Sequence, residues 1–173
     1  MEEIKISELS PENTHEKSLD DFMRTQEVSW VYVRKDGKYQ LTEQHFTDDW
    51  TLSRKRGKAL ELINGDLVSF GAFLCNELIG FIGLKQKLYG NRMIVDTLHV
   101  SAPYRGHGIG KKLFLRGMEE AKERGAEQLY ISACFSKETI AFYRAMGAEL
   151  TEQPIAEIAE DNPDDLQMVC EVT

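Results

Sequence analysis

The sequence predicts a mixed α/β (α+β) domain of about four helices set among strands. Three patterns carry that expectation: a period-2 hairpin around Asp36-Gly37, two apolar runs over 67–75 and 78–88, and a strand that passes through a glycine-rich turn into an amphipathic helix. With 173 residues, 42% of them hydrophobic, 29% charged and only four prolines, the chain can bury a core and is expected to form a single domain over 1–173.

Taken in order, Leu19, Phe22, Met23 and Gln26 are spaced for one face of a first helix over Asn13 to Gln26. Val28 to Arg34 and Lys38 to Thr42 alternate as paired strands, with Asp36-Gly37 supplying the positive φ angles of the turn. Thr47, Asp48 or Asp49 is expected to cap a helix that carries Trp50, Ala59, Leu60 and Ile63 and stops at Asn64-Gly65. Leu67 to Cys75 and Leu78 to Leu88 read as strands joined at Asn76-Glu77. After a turn at Tyr89-Gly90-Asn91, Arg92 to Val100 is a strand that ends ahead of Pro103. The next helix runs from Gly108 to Arg124, with Ile109, Leu113, Gly117 and Ala121 on one stripe and Gly125 as its stop; close packing is the expected reason for a mid-helix glycine. Glu127 to Cys134 forms a strand, Ser136 caps a helix over Lys137 to Met146, and Gly147 ends it. Strands over Ala148 to Ala156 and Leu166 to Val172 then flank an acidic loop, Glu157 to Asp165.

Charge is unevenly placed. The formal net charge is −8, and residues 149–173 hold eight acids with no Lys or Arg, so the rest of the chain is neutral. Phosphate binding needs clustered Lys and Arg, which argues against a nucleic-acid partner at that end and leaves a solvated edge or a surface that draws in cations. The longest apolar run, Leu67 to Cys75, is nine residues. A membrane span needs about 18, and the first residues lack a basic stretch, so neither a membrane nor a secretion signal is expected. Three cysteines, Cys75, Cys134 and Cys170, with no CxxC spacing, read as free thiols in the cytoplasm, with no metal site.

Between strand and helix lies Arg105-Gly106-His107-Gly108-Ile109-Gly110-Lys111-Lys112. Glycines let a backbone approach a phosphate with no Cβ in the way, and a helix N-terminus adds unpaired amides and a partial positive charge. The segment is one residue short of a P-loop and lacks its Ser/Thr, and Gly106-x-Gly108-x-Gly110 is not the dinucleotide fingerprint G-x-G-x-x-G.

The segment instead resembles motif A (R/Q-x-x-G-x-G/A) of the Gcn5-related N-acetyltransferases, the GNAT superfamily. Asp96-Thr-Leu-His-Val100 is similar to that family's fourth strand and Lys111 to Arg124 to its third helix, while Ala141-Phe142-Tyr143-Arg144-Ala145-Met146-Gly147 resembles motif B. The resemblance is strong over 92–148, the coenzyme-binding core. Residues 1–66 fall where the family varies and would form the acceptor side. It implies a GNAT fold: a central, mostly antiparallel twisted sheet of six to seven strands, about four helices, and a splayed strand pair at the coenzyme site. The family often carries Asn where this chain has Ser136.

By that resemblance acetyl-CoA is the co-substrate and no metal is required. Its pyrophosphate would sit on the amides of Arg105, Gly106, His107, Gly108, Ile109, Gly110 and Lys111, and its pantetheine beside Leu98, His99 and Val100, with Ser136 near the pantetheine. A bulge in the strand would turn an amide toward the thioester oxygen. The family's direct attack by an amine needs no covalent intermediate, so Cys134 is expected to be a small buried hydrophobe. An alkylamine with pKa near 10.4 is about 3.4 units from neutral at pH 7, a deprotonation of about 4.6 kcal/mol. Asp96 and His99 are the candidate bases, alongside relayed water, and Tyr143 the candidate donor to the departing thiolate. The leading expectation is acetyl transfer to a primary amine of a small molecule, and a further one is that the C-terminal acids gather a cationic acceptor. A protein N-terminus or lysine as acceptor, a CoA-binding module without transfer activity, and a homodimer that completes the acceptor cleft stay open.

Overall fold

The computed structural model describes residues 2–173. Its strands are β1 (Lys5–Glu8), β2 (Gln26–Lys35), β3 (Lys38–Asp48), β4 (Leu67–Leu74), β5 (Glu77–Lys85), β6 (Arg92–Val100), β7 (Gln128–Ala133), β8 (Glu149–Leu150) and β9 (Leu166–Glu171). Its helices are α1 (Leu52–Leu62), α2 (Ile109–Glu123), α3 (Lys137–Ala145) and α4 (Ala156–Asp161). Seven strands make one sheet in the order β1-β4-β5-β6-β7-β9-β8, and β2 and β3 form a separate long hairpin.

Alternation along β5 divides the core between the two faces of the sheet. Ile82 and Leu84 pack under α2 with Ile109, Leu113, Phe114 and Ala121. Phe81 turns to the other face, where α1 contributes Ala59 and Leu62 and the N-terminal segment adds Leu9, Leu19 and Phe22. Gly117 is the contact point of α2 on the sheet: a Cβ there would lie 2.9 Å from Ile82 Cδ1.

The sheet is antiparallel except at one pair. β6 and β7 run parallel from Arg92 opposite Gln128 to Val95 opposite Ile131, and then part. β7 stays paired with β9 as far as Ala133 opposite Leu166, while β6 stays paired with β5 as far as Val100 opposite Gly80. A bulge marks the parting. Val95 faces Leu84 and Thr97 faces Gly83, so Asp96 is the extra residue. The expected mostly antiparallel sheet with a splayed pair is therefore present.

Four local expectations need correction. Residues 13–25 are turns and irregular chain with no helix, although Leu19 and Phe22 are buried, and Gln26 already opens β2. Asn13, Ser18 and His15 side chains accept from the amides of Ser10, His15 and Lys17, so local side-chain bonds displace the helical ladder. The cap of α1 is Thr51, whose Oγ1 accepts from the Arg54 amide, because Asp48 pairs with Arg24 and Asp49 takes the Trp50 amide. The β4–β5 turn is Cys75-Asn76, with φ of 48° and 65°, one residue earlier than expected. Finally, β8 stops at Leu150, and Ala156–Asp161 of the supposed acidic loop is helical. Pro154 has no amide to give a ladder, and the Ile155 amide donates to the Tyr130 hydroxyl at 3.0 Å.

Candidate active site

The strand-to-helix turn is built for an anion. Gly106 and Gly108 have φ of 81° and 80°, the left-handed region that side chains with a Cβ disfavour, and a Cβ at either would meet nothing within 4 Å. The first ladder bond of α2 is Lys112 N–H to Gly108 C=O at 3.1 Å. The amides from Gly106 to Lys111 make no backbone hydrogen bond among the described residues, which leaves six donors on one turn. Gly110 has a different reason to be glycine: a Cβ there would come 3.2 Å from Phe142 Cε2 of α3.

Arg105 is used otherwise. Its amide donates to Ala102 C=O, and its guanidinium donates to the carbonyls of Val100, Thr25, Met23 and Arg24. This side chain ties the N-terminal segment to the turn, and the open donors are the amides that follow. His107 is exposed at the tip.

A cavity of about 520 Å³ opens over this turn and is lined by Leu98, His99, Val100, Gly106, Gly108, Ile109, Gly110 and Lys111. Ser101 N–H donates to Ile79 C=O on β5, so by alternation the backbone groups of Leu98 and Val100 point away from β5 into the splay. Arg105 takes the Val100 carbonyl, so the Leu98 groups and the Val100 amide remain open on this edge, and with the free amides of the turn they suit an extended chain ending in a pyrophosphate, which fits acetyl-CoA. Ser136 does not line the cavity. It is fully buried, caps Thr139 and accepts from Gln26 Nε2 of the hairpin, so its hydroxyl is spent on joining α3 to β2.

A second cavity, about 460 Å³, lies on the other side of the splay. Asp48, Asp49, Asp96 and Asp165 line it with Arg24, Arg54 and Trp50. The two cavities share Leu98, His99, Thr139 and Tyr143, together with Arg24 and Gln26. They meet where the strands part.

Charge decides what the titratable groups at this junction can do. His99 sits edge-on to Trp50, with ring centroids 4.9 Å apart. Burial, with the positive charges of Arg24, Lys58, Arg105 and Arg54, holds its imidazole well below the ordinary 6.5. It is neutral at pH 7, and a proton added to it would be a buried cation among cations. Burial pushes the Tyr143 phenol far up, so it keeps its proton and can donate a hydrogen bond. Burial also raises the Cys134 thiol, which disfavours the thiolate a nucleophile needs. Asp96 is exposed on the bulge and lines the second cavity. Asp165 is half-buried, and burial raises its carboxyl.

Arg24, Trp50 and Thr139 had no local signal. Arg24 is 6% exposed, pairs with Asp48 at 3.0 Å and lies 5.4 Å from the Trp50 ring centre, an assembly of two segments some 25 residues apart in sequence. The Asp48-Asp49-Trp50 run was the one visible hint, and it reads equally well as a helix start.

Two cavities that meet at a splayed strand pair, one over a turn of free amides, give room for two substrates side by side. Residues 19–148 match the Acetyltransferase (GNAT) family, and the chain belongs to that family. A streptothricin acetyltransferase of Streptomyces lavendulae is 31% identical over 72 residues, which is 41% of this chain and 38% of that relative. In structure the chain is similar to nourseothricin acetyltransferase, with a TM-score of 0.76 at 20% identity over 98% of this chain and 99% of the other. It is also similar to a Bacillus anthracis str. Ames protein in complex with acetyl coenzyme A, with a TM-score of 0.73 at 19% identity over 99% of each. No helix among the described residues is long and apolar enough to cross a membrane.

Proposed function

We propose that this chain transfers the acetyl group of acetyl-CoA to a primary amine of a small cationic molecule, by direct attack with both substrates bound. The observation that carries this reading is the meeting of the two cavities at Leu98, His99, Thr139 and Tyr143. One side offers anion-holding amides and a free strand edge; the other offers four carboxylates against two arginines, of which Arg24 is already paired with Asp48. A cationic amine entering the second cavity gains favourable charge as it approaches the splay.

The chain's own groups divide the work. The amides of Gly106 to Lys111 bind the pyrophosphate, and the backbone of Leu98 and Val100 aligns the pantetheine so that the acyl carbon lies at the junction. Acetyl-CoA supplies an activated thioester there. Tyr143 donates a hydrogen bond to the sulfur as it takes up charge. His99, neutral and packed against Trp50 and Phe81, shapes the passage and excludes water. The relative named for streptothricin makes that compound the first acceptor to try. Incubation with acetyl-CoA and a panel of streptothricin, polyamines, amino sugars and a lysine peptide, read by mass spectrometry, tests the reading. Acetylation of a small cationic amine is expected; acetylation of the peptide alone would overturn the acceptor class, and no product with any acceptor would overturn the transferase reading.

A further inference from the structure

The proton that the attacking amine must lose has five candidate receivers at the junction, and the structure separates them. His99 would have to become a cation beside Arg24, Lys58, Arg105 and Arg54. Asp48 is held by Arg24 at 3.0 Å. Asp49 accepts from the Trp50 amide and the Thr25 hydroxyl, and those bonds hold its carboxyl below the usual range. Asp96 stands exposed on the bulge.

Asp165 differs from all four. It lines the acceptor-side cavity with Tyr143, and it stands at the end of a hydrogen-bond chain that starts from a group able only to donate. The Ile155 amide donates to the Tyr130 hydroxyl at 3.0 Å, and Tyr130 in turn donates to Gln167 Oε1. Gln167 Nε2 donates to Ser132 Oγ at 2.9 Å, and Ser132 donates to Asp165 Oδ2 at 3.0 Å. Every donor in the series points toward the carboxylate, so the chain fixes one oxygen and leaves the other free. Tyr130 is fully buried, which anchors the series in the core.

We propose that Asp165 is the base of the reaction, with Ser132, Gln167 and Tyr130 as the residues that position it; this rests on the transferase reading above. The acceptor arrives as an ammonium, and Asp165 takes one N–H proton, which frees the nitrogen lone pair. The N–C bond forms as the C–S bond breaks, with the bonding pair leaving on sulfur. The second N–H proton passes to the thiolate to give the free thiol, and Asp165 returns the first to solvent. Accepting a proton neutralises Asp165, which its half-buried site favours, whereas it would charge His99.

The charged and titratable groups around Asp165 are Tyr143, Cys134, Asp96, His99 and the Arg24–Asp48 pair with Asp49 and Arg54 across the cavity, Arg34, Lys38, Tyr39, Arg144 and Glu160 along an outer groove, and its neighbour Asp164. None of these donates a side-chain hydrogen bond to it; Ser132 does, and that bond lowers its pKa. The test is steady-state kinetics across pH for the parent and for Asp165→Asn, Asp165→Glu and Ser132→Ala, with folding checked by thermal melting and acetyl-CoA affinity by calorimetry. Asp165→Asn is expected to lower kcat by roughly 10² to 10⁴ with coenzyme affinity within twofold, and Asp165→Glu to recover part of it. Ser132→Ala removes the bond that favours the carboxylate, so the acid limb of kcat/KM is expected to move to higher pH. An active parent whose Asp165→Asn variant keeps kcat within threefold, or an acid limb unmoved in a folded Ser132→Ala, overturns this assignment alone. A parent that transfers no acetyl overturns the transferase reading as well.

Discussion

Tyr143 shows how burial sets a role that residue type alone leaves open. A phenol near pKa 10 giving its proton to a thiolate whose thiol has a pKa near 8.5 is uphill by about 2 kcal/mol, and burial at this site raises the phenol further. In the proposed reaction its contribution is then a hydrogen bond to the developing thiolate, worth about 1.5–3 kcal/mol. Tyr143→Phe is predicted to lower kcat about 10- to 150-fold with acetyl-CoA affinity unchanged, as measured by steady-state rates and calorimetry; a fall of less than threefold, with product release shown not to limit, would assign Tyr143 to packing. His99 carries a prediction about stability. Its folded pKa lies well below the unfolded 6.5, so between those values the unfolded chain binds more protons. Stability from this group is complete above pH 6.5 and is lost as pH falls through that value toward the folded one. Urea melts from pH 7.5 to 5 are expected to show declining stability in the parent and a flatter profile in His99→Gln. Tyr143 and His99 were visible in the sequence as members of motif-like strings, but their protonation is a property of the cations and apolar groups packed around them.

At the scale of elements, the strand from Arg92 to Val100 and the helices after Gly108 and Ser136 were legible to within a residue or two, because their stops are glycines with positive φ at Gly125 and Gly147. Residues 13–26 and 148–165 were not. In the first, polar side chains compete for backbone amides; in the second, a long-range bond from the Ile155 amide to the Tyr130 hydroxyl fixes the residue at which α4 starts. Two predictions belong here. Gly108→Asp would place a side chain and a negative charge where six free amides converge, and calorimetry is expected to show acetyl-CoA affinity down more than tenfold in a folded protein. Unchanged affinity would move the pyrophosphate elsewhere. Gly117→Val would overfill the contact with Ile82, and chemical denaturation should register a loss of about 1–3 kcal/mol.

Across the whole molecule, the charge asymmetry legible at the C-terminus resolves into two different uses. Glu157, Glu160, Asp161 and Asp164 are exposed on and after α4, while Asp165 turns into the acceptor-side cavity. Exposed carboxylates act at a distance and are screened by salt, so they speed the approach of a cation more than they hold it. Replacing Glu160, Asp161 and Asp164 by their amides is predicted to reduce the salt dependence of kcat/KM for a cationic acceptor and to leave a neutral acceptor unaffected; equal salt slopes in variant and parent would make this edge a solvated surface only. The cavity residues that sequence could not reveal, Arg24, Trp50 and Asp48, come from the N-terminal 66 residues, where no motif guides the eye and where the fold brings distant segments to the splay.

The central claim is that the two cavities hold their substrates at once and exchange an acetyl group where β6 and β7 part. Initial rates of free-thiol release, measured while acetyl-CoA and a small cationic amine are varied together, test it most directly. Acceptor-dependent release with intersecting double-reciprocal lines is the predicted result. Parallel lines would mean an acetylated enzyme and direct attention to a nucleophile such as Cys134, and tight acetyl-CoA binding with no acceptor-dependent release would contradict the account.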